Sequence, residues 1–337
     1  MRNHLFVAVV GVALLGALVL AQAQGTRTPR LNPMIDLLEQ KKPVFGLYAP
    51  SNRRPGGRGG PAADAPAPPQ QTPLELARRA VAFRHADFIF DGSMEGGVDR
   101  GLPAYTEFVK GMQEAGALRK TPFLRLTPPL VVKMQEIGSE TDKTVDAIGK
   151  QLNLGVSGIM FVKAESADEV KRGIAAMRFK SKGGTRPDNV GTAPAFWGMS
   201  EAEYRQRADV WPINPEGELI NWTIIESKEG LAKVREIAAV PGVGVLWPGA
   251  GTLRGLFSTT DASGQRQTDT AAWENAIQSV LSACKEFKVA CGYPANPDDI
   301  EMRMKQGFSV FVMNWGDAGF KAIEIGRRVG NRSETSQ

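Results

Sequence analysis

The stretch GIMFVKAESADEVKRGIAAM, residues 158–177, decides the fold because it contains one complete strand-then-helix unit. Its first part, Gly158–Val162, is apolar throughout and predicts a buried strand. Ser166 is a typical N-cap residue, and it precedes Ala167–Met177, where apolar residues recur at helical spacing. Continuous apolar strands are typical of parallel sheets that are covered on both faces.

The same unit recurs along the chain. The short apolar runs that predict strands are Val44–Tyr48, Asp87–Asp91, Pro122–Leu126, Gly158–Val162, Trp222–Glu226, Val243–Trp247, Val289–Tyr293 and Ser309–Asn314. The helical patterns between them are Pro73–Phe83, Tyr105–Glu114, Lys143–Leu152, Ala167–Met177, Lys228–Ala239, Thr270–Phe287 and Pro297–Lys305. Thr72 and Asn296 stand where further helix caps are expected. Eight units predict an α/β fold, a single-domain (β/α)8 TIM barrel. A dinucleotide-binding sheet is excluded because no Gly-rich turn leads from the first strand into a helix.

The N-terminus has the pattern of a secretory signal peptide. A basic start at Arg2 is followed by the apolar run Leu5–Leu20 and the small-x-small site at residues 21–23. An uncleaved membrane anchor is the less favoured alternative, since the run is short for a spanning helix. The mature protein is expected to be periplasmic or secreted, without a membrane span. The predicted segments are the signal peptide 1–23, a disordered stretch 24–31, the barrel 32–330 and a disordered tail 331–337.

Residues 51–72, SNRRPGGRGGPAADAPAPPQQT, are rich in Pro, Gly and Ala and almost free of large apolar side chains. Such a segment cannot bury a core, so it predicts a flexible surface insertion rather than a domain. Because it follows the first predicted strand, it is expected to emerge at the mouth of the barrel, where we hypothesise a mobile lid or a docking segment.

Charge and cysteine content exclude some classes of protein. The formal net charge is +5, and the basic residues are spread along the chain, so nucleic-acid binding is not expected. Cys284 and Cys291 are the only cysteines, and with His85 they are too few for a structural zinc site. They fall at a predicted helix end and in the following strand. We expect two buried thiols, with a disulfide as the second possibility.

Barrel enzymes carry their chemistry at the carboxyl ends of the strands, where the loops converge. Arg125 and Glu226 each follow an apolar run that predicts a strand, and a buried charge there requires an opposite charge, a metal or a ligand. The pattern alone leaves two interpretations open: a structural Arg–Glu pair, or a functional site at the mouth.

The chain resembles the HpcH/HpaI aldolase and citrate lyase family from Asn32 to the C-terminus, apart from the insertion. The stretches that carry the resemblance are Asn32-Pro33, Leu37-Leu38, Gly46, Ala86–Phe90, Thr121–Arg125, Gly155–Met160, Gly184–Arg186, Ile225–Ser227 and Ile237–Val243. The resemblance implies a (β/α)8 barrel, a hexamer, and a class II pyruvate aldolase in which a divalent metal polarises a 2-keto acid.

The resemblance also implies roles for single residues. Arg125 matches the arginine that contacts the keto-acid oxygens and stabilises the enolate. Glu226 matches one of two carboxylates that bind Mg²⁺, Mn²⁺ or Co²⁺. The chain departs from the family pattern twice: the expected histidine of the loop after strand two falls on Glu95, or on Gly96 after a one-residue shift, and Thr252 replaces the second metal carboxylate.

These departures leave several hypotheses. Glu95 is a candidate base or replacement ligand, and Asp91 is a second candidate ligand; without one of them metal affinity is expected to be weakened. Substrate contacts are expected from Arg125 and from the loop Gly249, Ala250, Gly251 and Thr252. The expected function is a carbon–carbon lyase acting on a pyruvate-like acid and an aldehyde. The alternatives are a degenerate barrel that binds a small carboxylic acid without turnover, and a scaffold that binds neither.

Overall fold

The computed structural model describes residues 29–52, 69–138 and 141–332. The chain divides into a short unit, Met1–Arg30, and a main unit, Leu31–Gln337. The predicted signal peptide, the insertion between residues 53 and 68, and residues 333–337 lie outside the described residues. Among the helices that the structure describes, none is long and apolar enough to cross a membrane.

Eight parallel strands close into a barrel. They are β1 Val44–Tyr48, β2 Phe88–Asp91, β5 Leu130–Glu136, β6 Gly158–Val162, β8 Leu219–Ile225, β9 Val243–Pro248, β12 Ala290–Pro294 and β13 Val310–Met313. They pair in that order, and β13 pairs with β1 to close the ring. Short strands outside the ring are β3 Leu118–Arg119, β4 Arg125–Leu126, β7 Val210–Trp211, β10 Ser258–Thr260 and β11 Arg266–Thr268. The predicted (β/α)8 fold is confirmed.

Helices connect the strands on the outside of the barrel. They are α1 Pro33–Glu39, α2 Pro73–Ala82, α3 Val98–Glu114, α4 Thr141–Leu152, α5 Ala167–Met177, α6 Ala193–Trp197, α7 Glu201–Arg207, α8 Lys228–Ala232, α9 Val234–Ala238, α10 Ala250–Leu256, α11 Thr270–Phe287, α12 Ile300–Gln306 and α13 Asp317–Val329. Thr72 and Ser166 form capping boxes at α2 and α5, as predicted. The cap expected at Asn296 is wrong, because the Asp299 carboxylate accepts the Asn296 N–H in a turn and α12 begins later.

The third barrel strand is not the one predicted. Leu130–Glu136 pairs with β2 and β6, whereas the predicted run 122–126 contributes only Arg125 and Leu126 to an antiparallel pair with β3. Pro122 and Pro128 flank that run, and proline cannot donate to a strand ladder. The true strand, LVVKMQE, alternates apolar and polar side chains over its second half, which is a usable strand signal.

Alternate residues of each strand fill the barrel interior. Phe90 and Trp247 both stack on Trp222, the latter with ring centroids 5.5 Å apart and an interplanar angle of 16°. A Cβ on Gly292 would lie 2.0 Å from the Trp247 ring, so this glycine makes room for the indole. Met34, on α1, packs into the same interior cluster from the end where the strands begin. We call this the closed end of the barrel.

The two stretches predicted to be disordered, 24–31 and 331–337, each include a residue that the structure shows to be buried. Leu31 is buried and its N–H donates to the Glu218 carboxylate, so order extends into the predicted stretch 24–31. Arg332 is buried against Asp87 with a 2.7 Å hydrogen bond from Nη2, so order also extends into the predicted tail 331–337.

The expectation of two separate thiols is wrong: Cys284 and Cys291 form a disulfide, with Cα atoms 5.6 Å apart. Lys288 lies between them in the left-handed region, with a φ of 56°, and ends α11. This sharp reversal returns the chain at once to β12, so the helix end and the strand start lie closer together than their order along the chain indicates.

Candidate functional site at the barrel mouth

Glu226 directly follows β8 and is 7% exposed. Its two carboxylate oxygens accept hydrogen bonds from different loops: Oε1 from the backbone N–H of Lys163 at 3.1 Å, and Oε2 from the Thr252 hydroxyl at 3.0 Å. Both partners are neutral groups. The buried charge is therefore stabilised by directed donors rather than by a direct ion pair, and its carboxylate can accept further hydrogen bonds.

The loop after β9 lies against Glu226. The Gly249 N–H donates to the carbonyl of Ile225 at 2.8 Å, and a Cβ on Gly249 would lie 2.5 Å from the Glu226 Cβ. Only glycine permits this approach without displacing the carboxylate. As a result, Gly249 and the first turn of α10 meet Glu226 at one place.

Lys133 is a second charged residue at the mouth. It lies two positions after the interior residue Val131, so both side chains project to the inner side of β5. Its ammonium is 2.6 Å from Oε1 of Glu95, and the Lys133 side chain is 14% exposed against 48% for Glu95. Burial, with the nearby charges of Glu95 and Asp91, raises the pKa of Tyr48, which stays a neutral phenol at physiological pH.

These groups surround a cavity of about 280 Å³. Its lining is Tyr48, Phe90, Lys133, Met160, Ile224, Glu226, Trp247, Gly249, Ala250, Gly251, Thr252, Pro294 and Val312. Apolar side chains form the floor and walls, while Lys133 and Glu226 supply one positive and one negative group. A concave apolar pocket with a few convergent polar groups is typical of a small-molecule site.

Arg125 is not part of this cavity, and its predicted position at the mouth is wrong. It precedes β5 rather than ending it, and its guanidinium lies 3.3 Å from the Asp36 carboxylate of α1 at the closed end. Because the third barrel strand is Leu130–Glu136, the cation that lines the mouth cavity is Lys133 instead. The alternation in LVVKMQE is the signal that identifies it.

Of the residues expected to hold a metal, Glu226 and Thr252 lie together at the cavity, whereas Glu95 and Asp91 are hydrogen-bonded elsewhere. Within residues 29–52, 69–138 and 141–332, no group of three or more His, Cys, Asp or Glu side chains is arranged to hold a metal ion. The Thr252 hydroxyl donates a hydrogen bond to the Glu226 carboxylate. Glu95 contacts Lys133, and Asp91 accepts hydrogen bonds from the N–H and hydroxyl of Ser93. Glu226 is therefore the carboxylate that the described cavity offers to a divalent metal, which would complete its ligand set with water and substrate oxygens.

Comparison with known proteins agrees with the fold and with the predicted family. The model of the HpcH/HpaI aldolase/citrate lyase family matches residues 114–316. A hydroxypyruvate/pyruvate aldolase of Paraburkholderia phytofirmans is 29% identical over 145 residues, which are 43% of this chain and 52% of that protein. The chain thus matches about half the length of that relative.

Two solved structures show the same fold. A family protein from Burkholderia cenocepacia superposes with a TM-score of 0.60 at 19% identity and covers 90% of this chain and 100% of its own. An aldolase of the family from Desulfitobacterium hafniense gives a TM-score of 0.58 at 16% identity, with 88% and 95% coverage. Because the family model matches more than half of the sequence, this chain belongs to the HpcH/HpaI aldolase/citrate lyase family.

Proposed function

We propose that this protein is a carbon–carbon lyase of the aldolase type, which makes or breaks the bond next to the carbonyl of a pyruvate-like 2-keto acid. The observation that carries the proposal is the mouth cavity, in which Lys133 and Glu226 line a largely apolar pocket. Membership of an aldolase and lyase family supports the reaction class. The size of the cavity suits a small acid.

The chemistry requires three actions. A positive group must bind the acid and withdraw electrons from C2, and Lys133 is the cation that lines the cavity. A base must take the C3 proton, and Glu226 retains lone pairs for it. The ion pair between Glu95 and the Lys133 ammonium supports a role for Glu95 in the same site. Gly249 and the first turn of α10, Ala250–Thr252, line the same cavity and offer further contacts for a carboxylate.

The divalent metal and the hexamer are implied by the resemblance and remain predictions. Glu226 is the described carboxylate of the cavity that would hold such a metal, and no step of the proposal passes through it. Metal dependence is tested by measuring turnover after chelation and after addition of Mn²⁺.

The test of the function is exchange of the pyruvate methyl protons into D₂O, followed by ¹H NMR. We expect wild-type protein to catalyse the exchange and Lys133→Met to lose it. Arg125→Lys is the matched control: we expect unchanged exchange, since Arg125 lies at the closed end. Loss of exchange in Arg125→Lys, with Lys133→Met active, would contradict the assignment of the mouth cavity.

A second candidate is a barrel that binds a small acid without turnover. It is favoured by the engagement of both Glu226 oxygens with neutral donors, which is also compatible with a purely structural carboxylate. Saturable pyruvate binding without any proton exchange between about pH 5 and pH 9 would select this candidate over the lyase.

We also propose that the protein acts outside the cytoplasm, in the periplasm or after secretion. The signal-peptide pattern of residues 1–23 supports export, and so does the Cys284–Cys291 disulfide, since disulfides persist mainly in oxidising compartments. The intact mass of the protein from its native host tests this: we expect a chain that starts after Ala23. An uncleaved chain recovered from the cytoplasm would contradict it.

A further inference from the structure

The two sides of the mouth cavity differ in the side chains that line them. The charged groups come from one side of the ring of strands: Lys133 from β5, and Glu226 from directly after β8. The other side is formed by β12, β13, β1 and β2, which are neighbours in the closed sheet. These four strands contribute Pro294, Val312, Tyr48 and Phe90 to the lining. We call these four residues the apolar arc.

The cavity is larger than the keto acid. Its volume of about 280 Å³ corresponds to roughly nine waters of the liquid, whereas pyruvate has only six non-hydrogen atoms. A keto acid bound between Lys133 and Glu226 would therefore leave space over the apolar arc. A second reactant in that space would lie beside the carbon from which Glu226 takes a proton.

We propose that the second reactant is an aldehyde with an apolar side chain, which packs on the apolar arc. The inference rests on the proposed function, because it requires the enolate of a 2-keto acid in the same cavity. In the addition, Glu226 takes the C3 proton and C3 forms a bond to the aldehyde carbon. The aldehyde oxygen gains a proton and becomes the hydroxyl of a 4-hydroxy-2-keto acid. Cleavage is the reverse, and neither direction consumes an oxidant or a reductant.

The arc is a preformed apolar surface. Phe90 and Val312 are each 2% exposed. Phe90 stacks on Trp222 behind it, with ring centroids 5.9 Å apart, and the Tyr48 ring packs edge-on against Phe90 at 5.1 Å. This packing holds the aromatic surface in place before a ligand binds. An apolar side chain that covers the arc removes apolar surface of both partners from water, which favours binding.

A charged side chain has no matching group on the arc. Among the described residues that line the cavity, Lys133 is the one cation, and the keto acid already uses it. The carboxylates of Glu95 and Asp91 lie close enough to act on the Tyr48 phenol. They would repel an anionic aldehyde at the same place. Burial of a polar group without a hydrogen-bond partner is also unfavourable, so the arc selects against charged and strongly polar aldehydes.

The test compares two aldehydes with seven non-hydrogen atoms each, the apolar hexanal and the anionic 4-oxobutanoate. The full mature protein is incubated with pyruvate and one aldehyde, with Mn²⁺ in every sample, and the 4-hydroxy-2-keto acid is measured by chromatography. We expect kcat/KM for hexanal to exceed that for 4-oxobutanoate by roughly 10-fold or more. Exchange of the pyruvate methyl protons without aldehyde reports on the proposed function alone.

Tyr48→Ala removes the ring at the solvent side of the arc. Tyr48 is 38% exposed, so the change leaves the buried core in place. We expect the preference for hexanal to fall by roughly 10-fold. Tyr48→Phe keeps the ring and should keep the preference. Met302→Ala, which changes an exposed apolar residue of α12 outside the cavity lining, is the control and should keep both the exchange and the preference.

The outcomes separate the inference from the function beneath it. A preference for hexanal that Tyr48→Ala reduces and Tyr48→Phe retains supports the apolar arc. Proton exchange with an equal or greater rate for 4-oxobutanoate overturns the inference and leaves the proposed lyase standing. Proton exchange without addition to either aldehyde does the same. Absence of proton exchange overturns the lyase, and the inference falls with it.

Discussion

The two ends of the barrel both bury charged groups, but they stabilise them differently. At the closed end, Asp87 meets the guanidinium groups of Arg332 and Arg327 and accepts the Phe45 N–H at 2.8 Å. At the mouth, the described partners of Glu226 are a backbone N–H and a hydroxyl. Arginine cations neutralise the Asp87 carboxylate, whereas the described partners of the Glu226 carboxylate are neutral hydrogen-bond donors.

This difference supports the proposal that Glu226 serves a ligand, whereas Asp87 serves stability. A carboxylate held by neutral donors keeps its negative charge available to a molecule in the adjoining cavity, whereas one enclosed by arginines does not. Function therefore follows the partners of a charge and its end of the barrel, not burial alone.

The largest effect is expected for Asp87→Asn. The change leaves the buried Arg332 without the counter-charge of Asp87, and breaking a buried pair in this way costs about 3–5 kcal/mol. Urea denaturation measures the loss. The control is Asp188→Asn, whose partner Arg205 lies at the surface and whose loss should cost less than about 1 kcal/mol. Equal losses in the two variants would remove the distinction between buried and surface pairs.

The matched change at the mouth is Glu226→Gln, which has the same shape. We expect pyruvate proton exchange to fall by roughly 100-fold or more, as for loss of a catalytic base. Stability should hold or rise by about 0.5–2 kcal/mol, because a buried charge without a direct cation partner is removed. The amide can accept the Lys163 N–H and donate to Thr252. A large loss of stability with normal exchange would show that Glu226 is structural.

The disulfide lies at the closed end, where α11 meets β12. The double variant Cys284→Ala/Cys291→Ala is expected to lose about 2–3 kcal/mol, because the cross-link no longer restricts the unfolded chain. Exchange measured under folding conditions should be unchanged, since the mouth is at the other end of β12. A parallel loss of exchange would mean that the two ends are coupled.

The smallest effect is expected for Thr252→Val, which removes one donor from the Glu226 carboxylate. A hydrogen bond to a charged group contributes about 1.5–3 kcal/mol, and we expect the lower end because the pair is only partly buried. Thr252→Ser keeps the hydroxyl and is the control. If both variants unfold at the same urea concentration as the wild type, the hydroxyl does not hold Glu226.

Much of the fold could be predicted from local patterns. The patterns locate seven of the eight barrel strands within a few residues, and residue type identifies the helix caps at Thr72 and Ser166. The third strand was missed because the proline-flanked run around Phe123 is as apolar as a strand. Its failure to join the barrel depends on pairing partners that lie far along the chain.

The candidate site could likewise be predicted only in part from local patterns. Glu226 and the loop from Gly249 to Thr252 were predicted together because each follows a correctly located strand, and such ends converge in a barrel. Arg125 was misplaced by the error in the third strand, and Lys133 was missed for the same reason. The contact between Lys133 and Glu95 joins the ends of separate strands and has no local signature.

The sequence by itself determined the number of strand–helix units, the family, and the carboxylate at the end of the fifth barrel strand. The strand–helix units and the carboxylate follow from the periodicity of side chains, which is local, whereas the family follows from the resemblance of the quoted stretches. Only the tertiary structure decided that Lys133 rather than Arg125 faces the mouth, that Asp87 is enclosed by arginines, and that Cys284 meets Cys291. Each depends on strand register and on the close return of the chain, which bring together residues that no local pattern relates.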